Sequence, residues 1–432
     1  MGTDLMESIA SAEVKDLLVV GGGPAGAAAA LEARRHGLAV SIWERDRFPR
    51  HKVCGEFLSS ESLSALEEEI ALEAYHPAVI RRSEFISPRG RVHGFPLPHP
   101  GRGLSRRALD EALWRAAASR GAEIHEGECV RRVSRQVATR GDGSSCLWEL
   151  DSMGGKKDAA RALIVSAGRW WSLEGISGPT KNHGEHGGAW LGAKAHFGGL
   201  SPRDAVEMYY FSGGYCGLAP IEGGLYNACC LVHRSLAQDG SAVADFAAWI
   251  TEISGHHALA ERLRPGSQVS KTVATAPVKP ARRRSNIQGA LLAGDAAGFL
   301  DPFTGDGISI ALQSGRLAAR VLVGCLKNRS VPEGIERAVE VYRRKLDDAV
   351  GGSYRLAGIL RALVWAPSWL QESVAASLPW LGPRLEAETR WRNSASNVVG
   401  RNSAPPVAGG DANLAPEPAG AFDPESLERE SV

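Results

Sequence analysis

The stretch Leu17–Val20 followed by Gly21-Gly22-Gly23-Pro24-Ala25-Gly26 limits what this chain can fold into more than any other. A short apolar run ending in glycine reads as a buried parallel strand entering a tight turn. Ala27 to His36 then reads as a helix stopped by Gly37, and Ala39–Trp43 as a second strand ending in Glu44. Strand, glycine turn, helix and strand make a βαβ unit. Gly21, Gly23 and Gly26 spell GxGxxG. The first glycine makes the turn, the second lets a pyrophosphate approach the backbone, and the third lets helix pack on strand. Pro24 and Ala25 complete the turn as candidate cofactor-binding residues, and the helix that follows offers free N–H groups and a dipole that favour an anion. Glu44, at the second strand's end, is placed to accept from ribose hydroxyls, so the turn predicts dinucleotide binding.

Farther along, Leu104–Ser119 reads as a helix, with Leu109, Leu113 and Ala117 at spacing four. Ala122–His125 and Val130–Val137 read as strands. From Ile86 to about Pro277 the pattern is β-like, with AKAHF from Ala193, AVEMYYF from Ala205 and LYNACCLV from Leu225 between Gly-rich turns. Leu291–Ala293 leads into a second glycine turn at Gly294, a helix follows from about Gly307, and residues 333–398 are helical in pattern. These elements predict an α/β fold: a Rossmann-like cofactor domain (14–85, 104–170 and 285–330), an antiparallel β-sheet substrate domain (86–103 and 171–284), C-terminal helices (331–400) and a disordered tail (401–432).

Composition narrows the function classes. The 432 residues are 44% hydrophobic and 23% charged with a net charge of +1, which gives no field to steer nucleic acid. Arg282–Arg284 reads as a solvated loop. The seven cysteines are scattered, with no CxxC pair, which suits reduced thiols in a cytoplasmic protein and speaks against a dithiol relay. His183 and His186 form an HxxH without cysteine ligands nearby, and no metal is expected. The N-terminus is acidic and polar, unlike a signal peptide.

The block Gly294-Asp295-Ala296-Ala297-Gly298, followed by Phe299-Leu300-Asp301-Pro302-Phe303-Thr304-Gly305-Asp306-Gly307-Ile308, chooses among dinucleotides. An acid at a strand end followed by a Gly-Asp-Gly turn opening a helix suits an extended cofactor such as FAD. Asp295 is placed for the ribityl chain, and the helix start at Gly305, Gly307 and Ile308 for the flavin edge. With GGGPAG, WERD (Trp43–Asp46), FPRHKVCGE (Phe48–Glu56) and LSRRALDEAL (Leu104–Leu113), the chain resembles the superfamily of geranylgeranyl reductases, p-hydroxybenzoate-type hydroxylases and flavin-dependent halogenases. That resemblance implies that Glu44 and Arg45 contact the adenosine ribose, Arg106 the pyrophosphate, and the backbone at Val130 the adenine. It also places Cys54 and Gly55 close to the flavin, with Cys54 the sole candidate for a catalytic side chain.

Two departures shape the reaction expected. Ser166-Ala167-Gly168-Arg169 stands where hydroxylases carry Asp-Gly, and Gly214–Pro220 lacks the tryptophans of the halogenase WxWxIP segment. One GxGxxG turn leaves NAD(P)H as a transient reductant, or an electron-donor reductase as partner. The expectation is an FAD-dependent oxidoreductase acting on an apolar natural-product or lipid-like substrate. Monooxygenation through a flavin C4a-hydroperoxide is placed first, with C=C reduction of the geranylgeranyl reductase type and a non-catalytic redox sensor as alternatives. Leu356–Leu381, with Trp365, Trp369 and Trp380, is a candidate for peripheral membrane contact or for covering an apolar cavity.

Overall fold

The computed structural model describes residues 14–140, 143–169, 171–176, 190–237, 245–278, 281–282, 286–287, 289–299, 305–327 and 332–363, with 365, 370–374, 376–377 and 379–380. His183, His186, Arg283, Arg284, Leu300 to Thr304, Trp369 and the tail from 381 onward lie outside them.

In chain order, β1 (Lys15–Val20), α1 (Pro24–Arg35) and β2 (Val40–Glu44) form the expected βαβ unit. Then come β3 (Phe57–Leu58), α2 (Ser60–Leu66), β4 (Ala78–Ile86), β5 (Val92–Gly103), α3 (Arg106–Ser119), β6 (Glu123–Glu126), β7 (Val130–Arg140), β8 (Gly143–Ser152) and β9 (Lys157–Val165). The next run is β10 (Trp190–Gly198), β11 (Ala205–Phe211), β12 (Gly214–Pro220), β13 (Tyr226–His233), α4 (Phe246–Ser254), α5 (His257–Leu263), β14 (Ser267–Gln268) and β15 (Val273–Val278). β16 (Ala281–Arg282), β17 (Asn286–Ile287), β18 (Ala290–Leu292), β19 (Gly298–Phe299), α6 (Gly307–Lys327) and α7 (Pro332–Leu363) complete the described elements.

One sheet runs β17-β18-β9-β1-β2-β6, with the β7–β8 hairpin extending from β9. Its centre is parallel, β2 and β9 flanking β1. Leu17, Leu18 and Val19 are fully buried, as befits a central parallel strand with α1 packed on it. α1 starts at Pro24, three residues before the sequence expectation, because proline suits the first helical position where no N–H partner exists. Residues Pro24 to Ala33 of α1 are all buried, since α6 lies along it. Gly315 permits that approach: a Cβ there would collide with the Ala25 carbonyl. In α3, Ser105 caps the N-terminus by accepting from Ala108 N–H at 3.2 Å, and Leu109, Leu113 and Ala117 are buried as their spacing predicts. Each buried leucine of this kind contributes about 1.5–3 kcal/mol.

The second sheet runs β14-β10-β13-β12-β11-β4-β5-β3, with β15 also on β10. It is antiparallel except where β4 runs parallel to β11. β3 and β4 belong to this sheet, so its membership begins ahead of residue 86, where the sequence reading placed the boundary. β4 has no clean alternation (Arg81 and Arg82 are exposed while Ile80 and Ser83 are buried), which hides a strand from a period-two search. One face carries Phe197, Tyr209, Phe211, Cys216 and Cys230 against Phe246 and Ile250 of α4 and Leu259 of α5. The other face is left for the site.

Candidate cofactor and substrate site

The three glycines of the turn do different mechanical work. Gly21 has φ +106°, and a Cβ would meet the Ser166 carbonyl. Gly26 packs so closely that a Cβ would overlap the Gly21 carbonyl oxygen. Around Gly23 the nearest atoms to such a Cβ are the Nη2 groups of Arg50 and Arg106, at 3.9 and 4.0 Å. Its main chain thus faces two guanidinium groups rather than packed carbon, the setting a pyrophosphate needs. Ser166 ties the turn down: its Oγ donates between the Val20 carbonyl at 3.0 Å and that of Gly21 at 2.8 Å.

Glu44 is buried, and its Oε2 accepts from Gly22 N–H at 2.7 Å while Oε1 accepts from Asp46 N–H at 3.0 Å. Arg50 donates to both oxygens, at 3.2 and 3.4 Å. A ribose contact at Glu44 therefore requires Arg50 to release it. Arg50 is a site residue the sequence reading quoted within FPRHKVCGE without assigning, and its Nε is buried without a hydrogen-bond partner. Arg45 projects outward, 3.6 Å from Asp46. Arg106 grips Asp110 with two hydrogen bonds of 2.6 and 2.7 Å and is largely buried, so it is not a solvent-facing helix arginine. Val130 is buried at the start of β7, paired with Ser152.

The distant block comes home to the same turn. Gly294, at φ +59°, sits so that a Cβ would lie 2.9 Å from Ala25 Cβ, and its N–H donates to Ser314 Oγ of α6 at 2.9 Å. Asp295 follows, half-buried in a short helical turn. At the start of α6, Ile308 is buried, Gly305 has φ +71° and Gly307 has open space where a Cβ would be. The Ser309 hydroxyl is buried without a partner there. The first N–H groups of a helix have no intrahelical acceptor, so α1 and α6 each present an anion-favouring end. Open main chain at Gly23, Gly55 and Gly307 and unmatched polar atoms at Arg50 and Ser309 fit an extended, phosphate-bearing cofactor such as FAD.

Facing this cradle, the free side of the second sheet is aromatic at one end. Phe85 stacks on Tyr210 with ring centroids 5.7 Å apart, Tyr210 neighbours Tyr215, and Trp190, Met208, Leu231 and Val278 continue the surface to Phe299. Arg169 lies over the Phe299 ring at 4.4 Å. Trp365, half exposed, lies near Trp190 and His233, while Trp380 is exposed.

At the other end lies a charged cluster that sequence reading missed. Lys194 and His196 alternate on β10 toward the same face, and Glu56 enters from the Cys54–Gly55 turn with the positive φ of 57°. The Glu56 carboxylate binds the Lys194 ammonium, accepts from His196 Nε2 at 2.7 Å and from Arg106 N–H at 2.7 Å. All three side chains are buried. Burial pushes the Glu56 carboxyl up, but Lys194 and the His196 hydrogen bond outweigh it and hold it at about 2. An ionised carboxylate only accepts, so His196 carries its proton on Nε2. Periodicity made AKAHF a plain strand; a lysine and a histidine two apart within an otherwise apolar strand were the available signal.

His51 packs edge-on to His196, and burial with nearby Lys194 lowers it from 6.5 to about 4. Its folded pKa lies below the unfolded one, so its contribution is present above pH 6.5 and lost as pH falls through about 4. Glu56 behaves alike between 4.5 and about 2. Thermal stability is expected to drop as pH falls below 6.5, and His51→Asn to flatten the upper part of that decline. An unchanged melting temperature between pH 7 and 4 would remove this reading.

Comparisons with known proteins agree with this arrangement. Residues 19–52 match a family described as an NAD(P)-binding Rossmann-like domain. The chain is 26% identical to digeranylgeranylglycerophospholipid reductase 2 of Methanopyrus kandleri, covering 79% of this chain and 84% of the relative. It is 27% identical to menaquinone reductase of Mycobacterium tuberculosis, covering 89% and 90%. Its fold is similar to a geranylgeranyl bacteriochlorophyll reductase-like protein from Thermoplasma acidophilum (TM-score 0.64, 19% identity, 86% and 92% covered). It is also similar to the flavin-dependent brominase Bmp2 (TM-score 0.66, 19% identity, 88% and 95% covered). With the glycine cradle closed by the block that begins at Gly294, the chain is an FAD-dependent oxidoreductase, similar in sequence to digeranylgeranylglycerophospholipid and menaquinone reductases and similar in fold to a flavin-dependent brominase.

Proposed function

We propose that this protein reduces a carbon–carbon double bond in an apolar, lipid-like substrate. The observation that carries the reading is the wall of Phe85, Tyr210, Tyr215, Trp190 and Phe299 on the sheet face turned toward the cofactor cradle. Such a surface holds an isoprenoid or polycyclic hydrocarbon by area and shape, at about 25 cal/mol per Å² removed from water. The reductases at 26% and 27% identity support reduction over oxygenation.

FAD, when bound, supplies two-electron transfer. Arg106, Arg50 and the Gly23 main chain hold its pyrophosphate, and Asp295 and the α6 N-terminus its ribityl and flavin portions. The aromatic wall excludes water and orients the substrate. In this reading NAD(P)H or a partner reductase supplies electrons, and Trp380, which is exposed, meets the lipid surface.

The test is single turnover under argon. Photoreduced protein is mixed with a detergent-dispersed geranylgeranyl glycerolipid and with menaquinone. Flavin colour is expected to return without oxygen, with the lipid gaining two hydrogens. Colour returning only after air is admitted, with product heavier by an oxygen atom, would establish the oxygenation that the sequence resemblance put first. No substrate response in either atmosphere would leave a flavin-binding sensor.

A further inference from the structure

Cys54 and Cys229 stand 175 residues apart in the chain, and nothing in their spacing pairs them. The fold brings them together. Cys54 belongs to the turn that leads from the cofactor cradle into β3, and Cys229 lies on β13 of the facing sheet. Asn227, two residues before Cys229 and on the same face, donates from Nδ2 to the Cys54 carbonyl at 2.9 Å. The Cys229 thiol itself reaches the Cys54 main chain. On the neighbouring strand Lys194 is the direct partner of Cys229, and Lys194 binds Glu56, two residues after Cys54. Three links therefore fasten residues 54–56 over Asn227, Cys229 and Lys194.

We propose that Cys54 and Cys229 form a reversible redox-modification site, closing to a disulfide that joins the cofactor segment to the substrate sheet. Both residues are half-buried, whereas Cys216 and Cys230 are buried on the opposite face of the sheet, within the α4–α5 core. Cys54 is the attacking thiol: it sits half-buried on the turn at the cofactor cradle, with the Arg106 guanidinium beside its sulfur. Cys229 is the resolving thiol, since burial with Cys54 nearby pushes it up to about 12.

With a hydroperoxide as oxidant the steps balance. The Cys54 sulfur attacks the O–O bond, giving a sulfenic acid and releasing an alcohol, or water from hydrogen peroxide. The Cys229 sulfur then displaces the sulfenic oxygen, which leaves as water with the thiol proton, and the S–S bond forms. Two thiols lose two electrons and the peroxide gains them. Dithiothreitol reverses the change.

The experiment uses FAD-loaded full-length protein treated with hydrogen peroxide, then alkylated under denaturing conditions and digested without reductant. The expected result is loss of two of the seven thiols and a cross-linked peptide pair, with fragmentation assigning the bond to Cys54 and Cys229 rather than to the adjacent Cys230. Cys229→Ser should abolish the cross-link and carry Cys54 on to sulfinic acid, while Cys230→Ser leaves the cross-link in place. If Cys229→Ser does not fold, the wild-type digest decides alone. A bond between Cys216 and Cys230, which face each other directly across β12 and β13, would overturn the proposal, as would wild-type Cys54 sulfinic acid without any cross-link.

Discussion

A Gly26→Ala variant is expected to purify without FAD and to lose about 3 kcal/mol of stability or more, the upper end of what overpacking costs. The added methyl would occupy the space of the Gly21 carbonyl oxygen and press on Ser166 Oγ at 2.6 Å. Neither neighbour can give way. Gly21 is pinned by its own positive φ and by donating from its N–H to the Trp43 carbonyl at 2.7 Å, and Ser166 by its contacts with the Val20 and Gly21 carbonyls. The helix must therefore lift from the strand, moving the very N–H groups that would meet the pyrophosphate. Gly324→Ala is the matched control: it lies inside α6 with open space around a Cβ, and should gain about 0.5–1 kcal/mol from helix propensity. Flavin absorbance per protein and chemical denaturation of both variants check this. A yellow, fully stable Gly26→Ala protein would show that the close approach at this turn is not required.

Glu56→Ala should be comparably severe, at about 3–5 kcal/mol, because it strands the Lys194 ammonium in the interior without its anion. It also deprives His196 Nε2 and Arg106 N–H of their acceptor. Glu56→Gln keeps an acceptor and should cost less. The decisive comparison is the double variant Glu56→Ala/Lys194→Met, which removes both charges and is expected to recover at least half of the loss in urea titration. If the double variant is no more stable than Glu56→Ala, the damage comes from the backbone at this positive-φ residue rather than from an unpaired charge.

Sequence made the cofactor side readable and left much of the substrate side dark, for physical reasons that differ between the two. β1, the glycine turn, α1 and β2 are local: their residues specify strand, turn and helix within thirty positions, so pattern alone places them to within three residues. The same holds for α3, whose leucines repeat at the helical interval and lie buried. The Gly294 turn was legible as a turn, but only the fold shows it resting on Ala25. Arg50 carries no periodic signal, and its place beside Gly23 depends on a loop that folds back over β2. The Glu56–Lys194–His196 cluster depends on β10 meeting a segment nearly 140 residues earlier, and no local rule encodes that meeting. β4 carries no strand signal of its own, since its burial does not alternate, and so it falls ahead of the boundary read at residue 86 although it pairs with β5 and β11.

The way the strands are shared between the two sheets bears on how such proteins diversify. The chain enters the first sheet with β1 and β2, leaves for β3–β5, returns for β6–β9, leaves again for β10–β15 and returns for β17 and β18. Neither sheet is a contiguous cassette. A single recombination event between two relatives cannot exchange the whole second sheet while keeping the cofactor half; that would need junctions at all four passages. New substrate preferences on this architecture are therefore reached by point substitution at positions such as Phe85, Tyr210 and Tyr215, one side chain at a time, on a scaffold inherited whole.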